Sequence, residues 1–360
     1  MPTARRTIVV TCVGGALIYD VINALRNAPD FAARIIGCDA DPHAIGRVLT
    51  DRFVVMPYAE RDPSAYIDAI WQVIGEENPD LVLPLSEGES RVLAEIRDDL
   101  VGVGVSVSVS SLESVVVMTD KLMLMQRLRA KRIHCLDCLP VSNLDELDLA
   151  LKELGYPRRA VVVKPRRASG ARGIWIFDSK IKKFQPGPGQ RQSGWGDRDA
   201  IVKEFELTNS DLENRVATPF VEGPIYDVDC IAINGEALDI VPRLRQWRDP
   251  LTAASTGNRV EMNTEVIRYC RDLCRALNVD GAADYDVVLD SDGRAVVLDA
   301  GTRLSGSVGG AVAAGANIPA QLVRVLTGLK RIKFDINNGC VIRPFLTFAE
   351  IPSKNQHDLL

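Results

Sequence analysis

Several short stretches of the sequence carry residue types suited to work on phosphate. The clearest is VVLDSDGRAVVLDAGTRLSG, residues 287–306, with Asp286 just before it. Two apolar, β-branched runs flank Ser291-Asp292-Gly293, which predicts a hairpin whose second strand, 295–298, runs into Asp299, Arg303 and a Gly/Ser loop. Paired in register, the hairpin stands Asp286 and Asp299 at its open end. Two carboxylates there can share a divalent ion, and Arg303 can face an anion, which is chemistry suited to nucleotide phosphates. Taken alone, the segment is also explained by an ordinary hairpin with solvated charged ends.

A second stretch, AVVVKP at 160–165, ends a run of valines on Lys164. A strand apolar on both faces buries what it carries, and a buried lysine needs a partner. RRASGARG follows at once, and then an apolar strand at 174–177. This predicts a flap whose backbone N–H groups fold over phosphates above the Lys164 charge. It is no Walker loop, because no G-x-x-x-x-G-K-[ST] precedes a helix. Lys121 adds a smaller signal. Thr119 or Asp120 caps the helix 122–130, leaving a lysine in a first turn where the helix dipole opposes it unless an anion is near. Arg243, Arg245 and Arg248 cluster at the end of a strand, and the first two share a face. They suit either a carboxylate or phosphate grip or plain balance of nearby acids.

The elements that position these residues alternate. Strand 7–13, a Gly14-Gly15 turn, helix 16–27, strand 34–38, helix 66–74, strand 81–85 and helix 89–96 predict a small parallel sheet with a site at its carboxyl edge. The Gly turn could bind an anion at a helix N-terminus, but it lacks the full G-x-G-x-x-G spacing, so the dinucleotide fingerprint is weak. Residues 101–109 alternate Val with Gly or Ser and predict a half-exposed strand. The Gly, Pro and charge of 180–200 predict a mobile loop or insertion. Strand 226–233, an Asn234-Gly235 turn, strand 236–241, helix 264–277, helix 311–326 interrupted near Pro319, and strand 340–348 complete the chain.

At 360 residues the chain suits two or three lobes, and 46% hydrophobic with 25% charged residues is ordinary globular composition. A net charge of −5 without a dense basic cluster argues against a nucleic-acid partner, so the substrates are expected to be small molecules. No apolar run is long enough to span a bilayer, and Gly14-Gly15 breaks the N-terminal run that would otherwise suggest export. A cytoplasmic protein with reduced cysteines is expected. The eight cysteines and three histidines show no ligand spacing that brings Cys135, Cys138, Cys270 and Cys274 into one zinc site.

Taken in order, MTDKLMLMQRL, VVVKPRRASGARGI, TPFVEGPIYDVDC and DYDVVLDSDGRAVVLDAGTRLSGS resemble the ATP-grasp superfamily, specifically the carboxylate–amine ligases similar to carbamoyl-phosphate synthetase. The resemblance covers nearly the whole chain. It implies an α/β and α+β protein: a pre-ATP-grasp parallel-sheet domain at 1–112, a small lobe with linker helix and glycine flap at 113–220, and a large lobe with the metal site at 221–360.

It also implies ATP between the lobes, with Lys121 and Lys164 on the phosphates and Ser169, Gly170 and Gly173 in the closing loop. Thr218, Phe220 and Val221 would line the adenine pocket, Asp286 and Asp299 would hold Mg2+ (or Mn2+), and Arg303 would stabilise the phosphoryl group in flight. Arg243 and Arg245 would help select the substrate. The implied reaction activates a small carboxylate, for example an amino acid, as an acyl phosphate and couples it to an amine. A homodimer is compatible with it. A carbamoyl-phosphate-type enzyme, a small-carboxylate kinase and a nucleotide-binding protein with a degenerate metal site stand as alternatives. The last draws on two departures. The family's E-x-N-x-R reads Asp299-Ala300-Gly301-Thr302-Arg303 here, so the acid is shorter and Gly301 supplies no ligand. Ile225 stands where a ribose-binding acid is usual, with Asp227 or Glu222 as substitutes.

Overall fold

A computed structural model describes residues 4–15, 18–168, 173–187, 190–208, 211–246, 251 and 257–344. Strands β1 (Ala4–Thr11), β2 (Phe31–Asp39), β3 (Arg52–Val55), β4 (Leu81–Leu83) and β5 (Ser106–Val107) form a parallel sheet in the order β3-β2-β1-β4-β5. Helices α1 (Ile18–Arg26), α2 (Gly46–Leu49), α3 (Pro63–Glu77), α4 (Glu87–Glu95) and α5 (Arg97–Gly102) connect them. The strand order reverses between β1 and β4, so the crevice at their carboxyl ends is where such a sheet presents residues to a ligand. The half-exposed strand expected at 101–109 is instead the end of α5 followed by the two-residue β5. Asp98 and Asp99 in the first turn of α5 favour helix over the Val/Gly alternation.

Two linker helices, α6 (Leu112–Met118) and α7 (Lys121–Ala130), lead to a second sheet built from β6 (Leu139–Val141), β7 (Val161–Pro165), β8 (Trp175–Phe177), β9 (Gln185–Gly187), β10 (Gln190–Gly196) and β11 (Arg215–Pro219). Its order is β6-β11-β7-β8-β10-β9, with α8 (Leu144–Glu153) and α9 (Arg198–Thr208) packed on it through Leu147, Leu151, Ile201 and Phe205. The expected loop at 180–200 instead carries the strands β9 and β10 and the start of α9. Its glycines serve close packing: a Cβ on Gly194 would lie 2.3 Å from the ring of Phe184. Helix α7 packs through Leu124, Met125 and Leu128 into the core of the third sheet, not the second.

The third sheet carries β12 (Ile225–Ile233), β13 (Glu236–Arg245), β14 (Asn258–Val260), β15 (Gly281–Leu289), β16 (Ala295–Gly301) and β17 (Val341–Ile342), with helix α10 (Thr264–Ala276) on one face. Helices α11 (Gly309–Ala313) and α12 (Ile318–Leu326) occupy the other face, against the N-terminal domain. The helix expected at 311–326 with an interruption near Pro319 is indeed divided: it breaks at Gly315, which has φ +97°, and restarts with Asn317 as cap and Pro319 in its first turn. Of the strand expected at 340–348, Val341–Ile342 pairs with β14 and 345–348 lie outside the described residues.

Period-two alternation decides what each face of this sheet carries. Tyr226, Val228, Cys230, Tyr285 and Val287 pack into the core beneath α10. Their neighbours Asp227, Asp229, Asp284 and Asp286 therefore share the opposite face with Arg243 and Arg245 of β13. Burial of so many charges is tolerable only if they pair.

Candidate functional site

The hairpin β15–β16 places Asp286 directly across from Asp299. Immediately beyond that pair the register slips: Val287 faces Val297, which leaves Leu298 as the extra residue of a bulge. The Leu298 carbonyl accepts a 2.7 Å hydrogen bond from Lys164 Nζ at the end of β7. The bulge thus joins the second sheet to the third at one lysine. Burial, with repulsion from Lys121, lowers the Lys164 ammonium to about 8.

Asp120 caps α7, accepting from the Leu122 and Met123 amides at 3.1 Å each. The same carboxylate receives Arg166 Nε at 2.7 Å and Arg167 Nε at 3.1 Å. Burial pushes this acid up, but the two guanidinium groups and the amides outweigh it and hold it below the usual carboxylate range. The basic residues that open the glycine flap are therefore spent on fixing α7, not on reaching over the cleft. Lys121, at the first position of α7, donates to the Ala168 carbonyl at 2.7 Å and pairs with Asp299 at 3.1 Å. Gly173 closes the flap with φ +66°, while Ser169 and Gly170 lie outside the described residues.

Arg303 donates to Asp284 Oδ2 at 2.7 Å and to its neighbour's carbonyl, and stands 3.6 Å from Glu87 Oε1 at the start of α4. The N-terminal domain thereby delivers a carboxylate to the site, one that burial raises and Arg303 partly lowers. Glu87 gave no signal in the sequence, because only the fold brings α4 to the end of β16.

The two β13 arginines separate. Arg243 is completely buried, with Asp229 at 2.9 Å and Ser305 and Ser307 as further acceptors. Expected as part of a substrate grip, it is instead an internal tie between β13 and the loop after β16. Burial raises its partner Asp229 to about 6 despite the arginine. Arg245 reaches the cleft wall and bridges Asp227 at 2.6 Å and Asp286 at 2.8 Å. Asp286 is likewise raised to about 6, by burial more than by its acidic neighbours, with Arg245 offsetting both.

Between the second and third sheets opens a cleft of about 1290 Å³. Its walls include Trp195 and Phe220, whose rings meet edge to face at 5.2 Å, with Val221, Ile225 and Leu244. Thr218 does not reach it, being buried in register with Val162. Of the two substitutes for a ribose acid, Glu222 lines the cleft and Asp227 is held beneath by Arg245. Trp195 was missed in the sequence because its strand reads as a glycine-rich loop.

Facing carboxylates fit one divalent ion of the kind that takes one or two carboxylates and completes its shell with phosphate and water. Among the described residues no group of three His, Cys, Asp or Glu could hold a metal.

Two sheets closing on a cleft behind a parallel-sheet domain define the ATP-grasp fold. Residues 211–345, less than half of the chain, match the family model for ATP-grasp in the biosynthetic pathway with Ter operon. The chain is 23% identical over 257 residues to the carbamoyl phosphate synthase large chain of Clostridium acetobutylicum, which covers 68% of this chain and 22% of the synthase. It therefore spans about a fifth of that relative. L-amino acid ligase from Bacillus licheniformis superimposes with a TM-score of 0.64 at 16% identity, covering 91% of this chain and 75% of the ligase. N5-carboxyaminoimidazole synthetase from Staphylococcus aureus, complexed with ADP, gives 0.68 at 13%, covering 93% and 80%. At these identities the likeness is one of fold. Among the described residues no helix is long and apolar enough to cross a membrane.

Proposed function

We propose that the chain is an ATP-dependent ligase joining a small carboxylate, such as an amino acid, to an amine. The observation that supports this most is the gathering of Lys121, Lys164 and Arg303 around the Asp286/Asp299 hairpin, which Arg245 joins, through its pair with Asp286, to the wall of an aromatic-lined cleft. The nucleotide base would lie against Trp195, Phe220 and Val221, and the phosphates would run toward the lysines. A substrate carboxylate oxygen attacks the γ-phosphorus, the bond to the bridging β–γ oxygen breaks, and ADP leaves with its electron pair. The amine nitrogen then attacks the acyl carbon, loses a proton and expels phosphate. Lys121 and Lys164 counter the repulsion between anionic nucleophile and anionic phosphate, and Arg303 faces the transferred group. A Mg2+ ion held by Asp286 and Asp299, or Mn2+ in its place, would supply Lewis-acid charge at the phosphate oxygens.

This reading carries small-molecule partners, no nucleic acid or membrane, a cytoplasmic setting and room for a homodimer. The test is ADP release in the presence of pooled amino acids and amines. Release that needs both substrates supports the ligase. Release with a carboxylate alone supports a kinase or carbamoyl-phosphate-type enzyme. Gly301 and the Arg245–Asp286 pair favour one further reading, a nucleotide-binding protein without turnover, which predicts an ATP-induced rise in Tm and no ADP release under any substrate pool.

A further inference from the structure

The acids behind the cleft wall are matched by more fixed cations than a two-ion centre leaves room for. Arg245 sits between two carboxylates, 2.6 Å from Asp227 and 2.8 Å from Asp286, while its other side borders the cleft. Asp227 retains a buried Oδ2 with no hydrogen-bond partner, and the Arg245 guanidinium is the cation bonded to its other oxygen. Across the hairpin, Asp299 is paired with Lys121. At position 301, where a side chain could have brought a further ligand, a Cβ would point toward Asp284 Cβ at 3.5 Å and the Arg303 guanidinium carbon at 3.6 Å. That direction is already occupied by a cation.

Resting on the nucleotide reading, we infer that this centre takes a single divalent ion per nucleotide, and that the Arg245 guanidinium permanently supplies the charge a second ion would bring. Asp286 and Asp299 serve the one ion together with phosphate oxygens. A second divalent ion would sit beside Arg245, Arg303 and Lys121 in a partly desolvated crevice, where repulsion between like charges is strong. A guanidinium is a suitable substitute because it is always charged and its planar fork spans two carboxylates at once. The proposed exchange has a consequence for Asp227: with Arg245 removed, Asp227 and Asp286 lose the cation they share and stand side by side on adjacent strands, which opens a place for a cation.

The experiment titrates Mn2+ into the full chain saturated with a hydrolysis-resistant ATP analogue and follows free Mn2+ by electron paramagnetic resonance. The expected result is one tightly bound ion per bound nucleotide in the wild type, two in Arg245→Ala and one in Arg245→Lys. Two ions in the wild type, or one ion in a folded, nucleotide-binding Arg245→Ala, would overturn the inference. If Arg245→Ala fails to fold, the wild-type and Arg245→Lys counts still decide it. A chain that binds no nucleotide removes the nucleotide reading itself, whereas a chain that binds nucleotide with two ions leaves that reading standing and removes only this inference.

Discussion

Lys164 lies on the second sheet and Leu298 on the third, yet the lysine ammonium and the leucine carbonyl meet at 2.7 Å. The buried ammonium and the hairpin bulge are thus one unit. Replacing Lys164 by Ala removes the ammonium and leaves a buried carbonyl without its donor, at a cost of about 1–3 kcal/mol. Nucleotide affinity is expected to fall at least tenfold and ADP release to be lost. Calorimetry and a coupled ADP assay check both; full activity in this variant or in Asp299→Asn would refute the site.

The same lysine predicts a pH dependence. Its folded value is lowered to about 8, whereas the unfolded chain keeps the ordinary 10.5. Between those values the unfolded state binds more protons, so this group makes folding more favourable as pH rises from 8 toward 10.5, by on the order of 3 kcal/mol at most. Unfolding free energy measured for wild type minus Lys164→Met should rise across that window. ADP affinity should move the other way, weakening above pH 8 as the ammonium loses its proton. A flat difference would show that Lys164 titrates normally.

Arg243 separates structure from recognition. Arg243→Met leaves the buried Asp229 without its partner and is expected to cost about 3–5 kcal/mol in urea unfolding. The double variant with Asp229→Leu should recover much of that loss. A substrate-gripping arginine would instead leave stability intact and raise KM, which is the outcome that would reinstate the sequence expectation.

Gly223 lines the cleft after Phe220 and Val221 and has no room for a side chain, since a Cβ there would fall 1.9 Å from the Leu289 carbonyl oxygen. That oxygen belongs to the end of β15, whose Leu289 amide also donates to Pro224 at 3.1 Å. Gly223→Ala must displace backbone in one strand or the other, costing about 1–3 kcal/mol and loosening nucleotide binding. Paired thermal melts with and without ADP would show a smaller ligand-induced shift than wild type. An unchanged shift would mean that the hinge tolerates the displacement.

Much of this was legible in the sequence, where a chemical type and a local period coincide. The Asp286/Asp299 hairpin announces itself by two apolar runs around Asp292-Gly293, and the observed register pairs those two acids. Lys164 is conspicuous as the one charge ending a run of valines. Partners set by sheet register were not legible. Arg243 meets Asp229 and Arg245 meets Asp227 on the diagonal, a relation that exists only once β12 and β13 are aligned. The bond of Arg166 and Arg167 to Asp120 was equally hidden, because it spans a loop and a helix that no local pattern connects. Gly194 and Gly196 disguised a strand as a loop, because glycine placed for packing reads the same as glycine placed for a turn.

The contact between Glu87 and Arg303 sets a boundary on how the chain can be recombined. Arg303 follows the last long strand of the third sheet, and Glu87 opens a helix of the N-terminal domain. A chimera that exchanges the N-terminal domain for another of the same topology also exchanges the carboxylate facing that arginine. The modules are separable in sequence but not in charge, so a transplanted domain should be screened first for an acid at the position of Glu87.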